Sequence, residues 1–479
     1  DKALGMAAAS NGEKRIDWML RELKRHVDTQ QRQVSQINLA VFGFSRGATQ
    51  ARAFVRMLTE KRPHVATLAT KDGNRLLWHE TNSKGEYPEL VIYFMGLFDT
   101  VASVGYGGST LEKTLPRVLS AGGPLSALAG VALKAIDGGG HAAWANDLTV
   151  PDAVRRCVHF VASHEVREKF PCDSLRRNLG SINSNHIEVF YPGMHSDVGG
   201  GYSHSAQEGR SNELANVALN NMFIEAWRAG VPLKEPSAVM ADAGGLFEIS
   251  EALEQAWNSY MGPNGKSYSG SPPSSDTLET NIIWHMNHYY AWRESRRCRL
   301  KDGRLKPAGG VDPYMAMTDK AWSEDVEKLV QDRAHPGVFT HKPTQQEQAI
   351  LDAYDANANN AGKATPAAGQ QAGGIKKAFD LFFDHYVHDS IAGFKQQMAE
   401  SHVEFAEKSR WSVNRQYFMG QYSKDGQEGH GTRSLYWRYE GNQAAFSGTK
   451  WAALEPQPQS QQDAAAVVAS NDPQTGAAG

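Results

Sequence analysis

Cysteine is scarce in this sequence, which has only Cys157, Cys172 and Cys298 among its 479 residues. An odd number of cysteines at these spacings fits neither a disulfide framework nor a zinc site. We therefore interpret them as reduced thiols, and we expect no metal ion and no other cofactor.

Long apolar runs are absent as well. No uninterrupted apolar stretch reaches the roughly 18 residues that a membrane-spanning helix requires. The nearest candidate, Leu119 to Ile136, is broken by Gly122, Gly123 and Pro124. The first residues do not combine a charged start with an apolar stretch, so the sequence predicts neither a membrane span nor a secretory signal peptide.

An excess of charge of one sign is also missing. Lys and Arg together number 50 and Asp and Glu number 53, which gives a formal net charge of -3. Domains that bind nucleic acid usually carry a strong basic excess, so we expect no nucleic-acid partner. The length predicts roughly two or three domains.

The first half of the chain alternates short apolar segments with amphipathic ones. The apolar segments, each followed by polar residues, are Ile37–Phe44, Leu90–Phe98, Cys157–Ala162 and Ile187–Tyr191. The segments with apolar residues at helical spacing are Asn11–Val34, Ala48–Leu58 and Asn212–Trp227. This alternation predicts an α/β fold over residues 1–235, a mostly parallel sheet with flanking helices. Its first strand, residues 37–44, is expected to be buried on both faces.

Beyond residue 235 the pattern changes, and we interpret residues 236–454 as a second, mixed region. Its aromatic residues include Trp284, Tyr289, Tyr290, Trp292, Tyr436, Trp437 and Tyr439. Because Trp and Tyr favour the headgroup boundary of a bilayer, this region is a candidate for membrane contact. Residues 355–374 and 455–479 have low complexity, which predicts a flexible linker and a disordered tail.

A Gly-x-Ser-x-Gly pentapeptide follows the first predicted strand. Gly43-Phe44-Ser45-Arg46-Gly47 lies between that strand and a predicted helix, which is the context of the nucleophile elbow in α/β-hydrolases. This context argues against a chance match in a chain with 45 glycines. Ser45 is therefore the candidate nucleophile, and the backbone N–H of Arg46 is a candidate oxyanion donor.

A serine hydroxyl needs a base to take its proton and a carboxylate to orient that base. In α/β-hydrolases these residues follow in the order Ser, then Asp or Glu, then His. Asp99 and His195 each follow a predicted strand in that order. Glu165 and Asp197 remain alternative acids, although Asp197 has a simpler interpretation as an acceptor for the backbone of its own turn.

The second oxyanion donor has no counterpart upstream of Ser45. It usually comes from an early strand-to-helix loop, whereas this sequence opens in the helix that precedes the Ser45 strand. We expect either that N-terminal strands are missing from the sequence, or that a second chain or a later segment supplies the donor.

Three blocks of sequence together resemble a known family. They are Gly-Phe-Ser-Arg-Gly-Ala at 43–48, Gly-Leu-Phe-Asp-Thr-Val-Ala-Ser at 96–103 and Pro-Gly-Met-His-Ser-Asp-Val-Gly-Gly-Gly-Tyr at 192–202. They are similar to blocks of the α/β-hydrolase family that includes type VI secretion phospholipase effectors, and residues 386–394 resemble a later segment of those effectors. The resemblance implies an α/β-hydrolase-like fold and a catalytic triad of Ser45, Asp99 and His195.

The resemblance also implies an activity and a setting. It implies an antibacterial serine phospholipase of the A type, which hydrolyses acyl esters of membrane phospholipids through an acyl-enzyme. Its partners would be the phospholipid, a component of the secretion apparatus and a cognate immunity protein. It would be made in the bacterial cytoplasm without a signal peptide and delivered to the periplasm of a target cell, peripheral to the membrane. The alternatives are an esterase for soluble esters and a non-catalytic binding or adaptor protein on a hydrolase scaffold.

Two further segments have their own interpretations. His388, Asp389 and Ser390 are adjacent and cannot converge on one reacting atom, which favours a structural or substrate-channel role over a second triad. Apolar residues in the insertion 111–136 are spaced as one helical face, which fits either a helix packed on the sheet or a lid that meets lipid. These apolar residues are Leu125, Leu128, Ala132 and Ile136.

Overall fold

The structure is a computed structural model that describes the following residues: 12–30, 33–59, 69–72, 75–101, 143–145, 147–166, 170, 172–175, 185–204, 206–207, 209–261, 278–306, 313–335, 345–360, 380–390 and 417–418. The insertion 111–136, the tail 455–479 and the aromatic residues 436, 437 and 439 lie outside the described residues.

The described residues form the following strands and helices. The strands are β1 (Gln36–Phe44), β2 (Ala69–Asp72), β3 (Arg75–Trp78), β4 (Glu89–Phe98), β5 (Cys157–Ala162), β6 (Cys172–Asp173), β7 (His186–Tyr191) and β8 (Tyr417–Phe418). The helices are α1 (Gly12–Thr29), α2 (Arg46–Thr59), α3 (His195–Gly199), α4 (Leu214–Arg228), α5 (Pro236–Phe247), α6 (Glu251–Met261), α7 (Leu278–Lys301), α8 (Pro313–Ala334) and α9 (Gln345–Asn360). Residues 380–385 are also helical.

The strands β1, β4, β5 and β7 form a parallel sheet in that spatial order. A hairpin of β2 and β3 joins it antiparallel at the start of β4, and β6 pairs with β8 separately. The register places Phe44 beside Phe98 and Phe98 beside Phe160. The residues that follow these strands therefore meet at one edge of the sheet, which is where open α/β sheets place their functional sites.

The parallel sheet with flanking helices confirms the α/β-hydrolase-like fold that the first half of the sequence predicts. One strand differs from its prediction, because β1 is not buried on both faces. Ile37 is the one residue of β1 in the buried class, and Phe42 is 46% exposed. Within the described part of the chain β1 pairs with β4 alone, so its other edge gains no burial from a neighbouring strand there.

Apolar side chains cover both faces of the sheet. On one face, α1 and α2 pack against β4 through residues such as Ile16, Phe54 and Ile92. On the other face, α4 packs against β5 and β7, and the same cluster continues into α6, α7, α8 and α9. Every residue of β5 and β7 is buried. This continuous packing holds the carboxyl ends of the strands in fixed positions.

Three aromatic residues of the second region, all on α7, lie inside the protein. The described ranges between residues 236 and 390 are mainly helical, and Tyr289, Tyr290 and Trp292 of α7 are each at most 1% exposed. The ring of Tyr289 contacts those of Tyr290 and Trp292, and Tyr290 stacks on Trp322. Tyr289, Tyr290 and Trp292 are core residues, so these three do not offer the membrane-contacting surface that was expected of the cluster. None of the described helices combines the length and the apolarity needed to cross a membrane.

The predicted linker at 355–374 begins too early. The helix α9 continues to Asn360, so residues 355–360 are helical. Leu351 and Ala353 are buried, and Asp355 forms a 2.7 Å salt bridge with Arg333 of α8. Packing of the apolar face of α9 therefore outweighs the low complexity of the sequence. Residues 361–374 lie outside the described residues.

Candidate active site

Ser45 lies on the sharp turn between β1 and α2. Its φ of 58° is in the left-handed region that residues other than glycine rarely adopt. Its N–H donates to the carbonyl of Phe98 at 2.9 Å, and its own carbonyl accepts the N–H of Ala48 at 3.0 Å. A Cβ on Gly43 would lie 2.5 Å from the carbonyl oxygen of Gly47, so the turn requires glycine at that position. The result is the strained strand-turn-helix geometry of a nucleophile elbow.

Arg46, the residue after Ser45, begins α2. Its N–H is one of the first four of that helix, which have no acceptor within the helix. The N–H of Arg46 therefore lies at the start of α2, next to Ser45, and its role as an oxyanion donor stays a prediction. The described residues do not assign the second donor.

Asp99 directly follows β4, the strand that pairs with β1, and is fully buried. Its φ of 42° is also left-handed, and its N–H donates to the carbonyl of Phe160 at 2.7 Å. One carboxylate oxygen, Oδ1, accepts the N–H of Ala162 at 2.9 Å. The other, Oδ2, lies 2.5 Å from Nδ1 of His195. A carboxylate with both oxygens on N–H donors fixes the imidazole proton on Nδ1 and leaves Nε2 as a base.

His195 is the first residue of α3 and is 4% exposed. Its ring centroid lies 4.5 Å from that of Phe44 and 5.1 Å from that of Phe170. Because Phe44 directly precedes Ser45, the ring contact places His195 next to the elbow. The His195 side chain is joined to Asp99 through Nδ1, and a bond between such a histidine and the serine in many enzymes tightens only in the substrate complex.

The two alternative acids of the sequence analysis hold the backbone of the same turn. Glu165 Oε2 accepts the backbone N–H of His195 at 3.2 Å. Asp197 Oδ2 accepts the backbone N–H of Met194 at 2.9 Å, which agrees with the simpler interpretation of Asp197. The structure therefore places Asp99, rather than Glu165 or Asp197, at Nδ1 of His195.

A buried histidine and glutamate behind Asp99 were missed by sequence reasoning. The N–H of Thr100, the residue after Asp99, donates to Nε2 of His159 at 3.0 Å. His159 Nδ1 donates to Glu188 Oε2 at 2.9 Å, and both side chains are buried. His159 on β5 and Glu188 on β7 are register partners. The available sequence signal was a polar residue in the middle of each of two apolar strands. Recognising that the two side chains pair required the register between β5 and β7.

A second buried network lies beneath the turn that carries His195. The N–H of Gly193 donates to Nδ1 of His164 at 2.9 Å, and His164 Nε2 lies 3.1 Å from the hydroxyl of Tyr260. That hydroxyl lies 2.6 Å from Nδ1 of His285. Burial lowers the pKa of His164 to about 3 and also lowers the pKa of His285. Both rings are therefore neutral at ordinary pH, and they anchor the turn without adding charge near it.

Potential metal ligands and cysteine thiols are arranged as follows in the described part of the chain. No group of three or more His, Cys, Asp or Glu side chains there is placed to hold a metal ion. Cys157 and Cys172 are buried free thiols, and burial raises the pKa of Cys157 to about 12. Such a thiol is protonated at neutral pH and is a poor nucleophile.

Residues 61–225 match the family model for T6SS, phospholipase effector Tle1-like, catalytic domain. This match confirms the family resemblance that the motifs carry. The matched residues include Asp99 and His195 and begin after Ser45. No curated protein matches the sequence.

Solved structures that are similar to the chain include the following two. One is a crystal structure of an uncharacterized protein from Pseudomonas aeruginosa, with 25% identity, a TM-score of 0.42 and coverage of 84% of this chain and 49% of that chain. The other is the Tle1 effector bound to the VgrG spike from the type 6 secretion system, with 17% identity, a TM-score of 0.29 and coverage of 52% of this chain and 57% of that chain. The chain spans about half the length of the solved proteins it matches.

Proposed function

We propose that this chain is a serine hydrolase that cleaves acyl esters of membrane phospholipids through an acyl-enzyme on Ser45. The observation that carries the proposal is the contact between Asp99 Oδ2 and His195 Nδ1 beside a strained elbow at Ser45. A buried carboxylate, an oriented imidazole and a half-buried serine on a sharp turn are the parts that nucleophilic acyl transfer uses here.

The reaction proceeds in two halves. His195 Nε2 takes the proton of the Ser45 hydroxyl as its oxygen bonds to the ester carbonyl, and the N–H of Arg46 stabilises the negative oxygen of the tetrahedral intermediate. The carbon–oxygen bond to the lysophospholipid breaks, and His195 gives its proton to the departing oxygen. His195 then takes a proton from a water molecule as the water oxygen bonds to the acyl carbon. The bond between that carbon and Ser45 Oγ breaks, and His195 returns the proton to Ser45, which frees the fatty acid. Asp99 stabilises the imidazolium in both halves.

The choice of a phospholipid substrate rests on the family match at residues 61–225. The same match supports an effector role in type VI secretion. We therefore propose that the chain acts against other bacteria, that a component of the secretion apparatus delivers it to the periplasm of a target cell, and that a cognate immunity protein blocks it.

Labelling by a fluorophosphonate tests the serine mechanism. We expect the probe to modify Ser45, and Ser45→Ala to lose both labelling and ester hydrolysis while remaining folded. Ser203→Ala is the matched control, because Ser203 is an exposed serine in a nearby loop. An unlabelled Ser45 in folded protein would instead support the non-catalytic adaptor.

Substrate assays test the lipid assignment. Vesicles of a defined mixed-chain phospholipid should release a fatty acid and a lysophospholipid, and mass analysis of both products identifies the acyl position that is cut. Hydrolysis of a short soluble ester without any activity on vesicles would refute the phospholipase and leave the esterase.

A further inference from the structure

Residues 386–390 lie beside the turn that carries His195, although they are far from it in sequence. His388, Asp389 and Ser390 are each 1% exposed, and each contacts a different partner. His388 contacts Asp197 in α3, Asp389 contacts Arg293 in α7, and Ser390 contacts Glu165. These diverging contacts exclude a second triad and show a segment that joins the helical region to the proposed active site.

We propose that His388 is a positioning residue for His195 and that it acts through its Nδ1 proton on Asp197. This inference rests on the proposed function, in which His195 is the general base. His388 Nδ1 lies 2.6 Å from Asp197 Oδ1. Since a carboxylate only accepts hydrogen bonds, the proton of the ring is on Nδ1.

Asp197 connects His388 to the catalytic turn. Its Oδ2 accepts the backbone N–H of Met194 at 2.9 Å and that of His388 at 3.0 Å. Asp197 is 2% exposed, and its Cβ lies 2.6 Å from the place where a Cβ on Gly193 would stand. The turn is therefore closely packed around this carboxylate. If Oδ1 lost its hydrogen-bond donor, the buried carboxylate would be less well stabilised and would move toward another donor. The turn that it holds would then move as well.

Ser390 supports the same turn from the other side. Its hydroxyl donates to Glu165 Oε1 at 3.0 Å, and Glu165 Oε2 accepts the backbone N–H of His195 at 3.2 Å. The segment thus reaches His195 by two routes. The route through His388 ends on Asp197, and a substitution at 388 can remove the Nδ1 proton while the backbone N–H contact to Asp197 remains.

The surroundings of the two ring nitrogens show which of them acts on Asp197. Nε2 is buried without a hydrogen-bond partner among the described residues, while the ring stacks on Tyr202 with centroids 3.9 Å apart. A buried unpaired acceptor is unfavourable. The contribution of this side chain to the turn therefore comes from Nδ1 and from ring packing, and not from Nε2.

Asparagine and glutamine separate the two ring nitrogens. An asparagine amide can place its N–H near the position of Nδ1, whereas the longer glutamine places it near Nε2. For His388→Gln we expect kcat on a soluble ester to fall by about tenfold to a hundredfold with little change in KM, as for other residues that orient a catalytic group. His388→Asn should stay within about threefold of wild type, because the donor to Asp197 is kept.

The control is His385→Asn, since His385 is an exposed neighbour whose Nδ1 lies 3.1 Å from the carbonyl oxygen of Gly209. Rates are expressed per active site titrated with fluorophosphonate, and melting temperatures are measured for every variant. If His388→Gln has a kcat near that of wild type while His388→Asn is impaired, Nε2 is the functional nitrogen and the proposal is overturned. Equal rates in both variants, high or low, would overturn it as well. An inactive wild-type enzyme would instead refute the proposed function.

Discussion

Replacing Asp99 with asparagine removes one acceptor from a site that needs two. Oδ1 accepts the N–H of Ala162 and Oδ2 accepts the Nδ1 proton of His195. An amide has a single oxygen. If that oxygen remains on Ala162, the amide NH₂ faces Nδ1 of His195 and drives the imidazole proton to Nε2, the atom that must accept the proton of Ser45. If the oxygen turns to His195, the NH₂ opposes the buried N–H of Ala162.

The first arrangement keeps the backbone hydrogen bond, so we expect the wrong tautomer to dominate. The corresponding change in a serine-protease triad lowers kcat by about ten-thousand-fold, which is about 5.5 kcal/mol of activation free energy. One mismatched buried polar group costs about 1–3 kcal/mol of folding stability. The variant should therefore remain folded, with a KM near that of wild type. The assay is kcat and KM on a soluble short-chain ester, together with a thermal melt.

Glu165→Gln and Asp197→Asn are the comparison set for this test. Both side chains accept backbone N–H groups of the His195 turn, so both variants should lose far less activity than Asp99→Asn. If Asp99→Asn keeps most of its activity while either of the other two is inactive, the orienting acid is misassigned.

Three further outcomes are expected. Ser45→Ala combined with His195→Ala should be little slower than either single variant, because triad residues act as a unit, and kinetics that show additive losses would separate their roles. The pKa of His164 lies at about 3 in the folded state, below its ordinary 6.5, so its contribution to stability is full above pH 6.5 and declines as the pH falls toward 3. Urea unfolding at pH 4.5 should show a loss of about 2–3 kcal/mol from this group relative to pH 7, and His164→Gln should remove that part of the slope. Gly43→Ala should destabilise the protein by at least about 1–3 kcal/mol in a denaturant melt, because its Cβ would clash with backbone, whereas Gly47→Ala meets no atom within 4 Å and should change stability much less.

The order of strands and helices around the elbow was predictable because each apolar segment carries a local signal. Cys157–Ala162 is a strand with the predicted bounds, and β1, β4 and β7 differ from prediction by one residue at a single end. The choice among Asp99, Glu165 and Asp197 was not decided by order and spacing alone. It required the register between β4 and β5, which places Phe98 beside Phe160 and so sets Asp99 against the end of β5.

Tertiary packing decided the features that sequence reasoning missed. Low complexity at residues 355–360 predicted a flexible chain, yet the buried side of α9 keeps them helical. The rings of Tyr289 and Trp292 looked suited to a membrane boundary because sequence alone does not show which face of α7 is covered. The adjacent polar residues 388–390 could be singled out in the sequence. The hydrogen bond between His388 and Asp197 could not be predicted, because it joins residues from opposite halves of the chain.

That long-range link changes how fragments of this protein should be interpreted. A polypeptide that stops between residues 261 and 386 would keep Ser45, Asp99 and His195 together with the three motifs around them. It would lose the segment that holds Asp197 and Glu165 in place. Under the proposed function, we expect such a fragment to carry all three motifs and yet to hydrolyse esters more slowly than the full chain. The residues on which the proposed site depends are therefore divided between two distant stretches of the sequence.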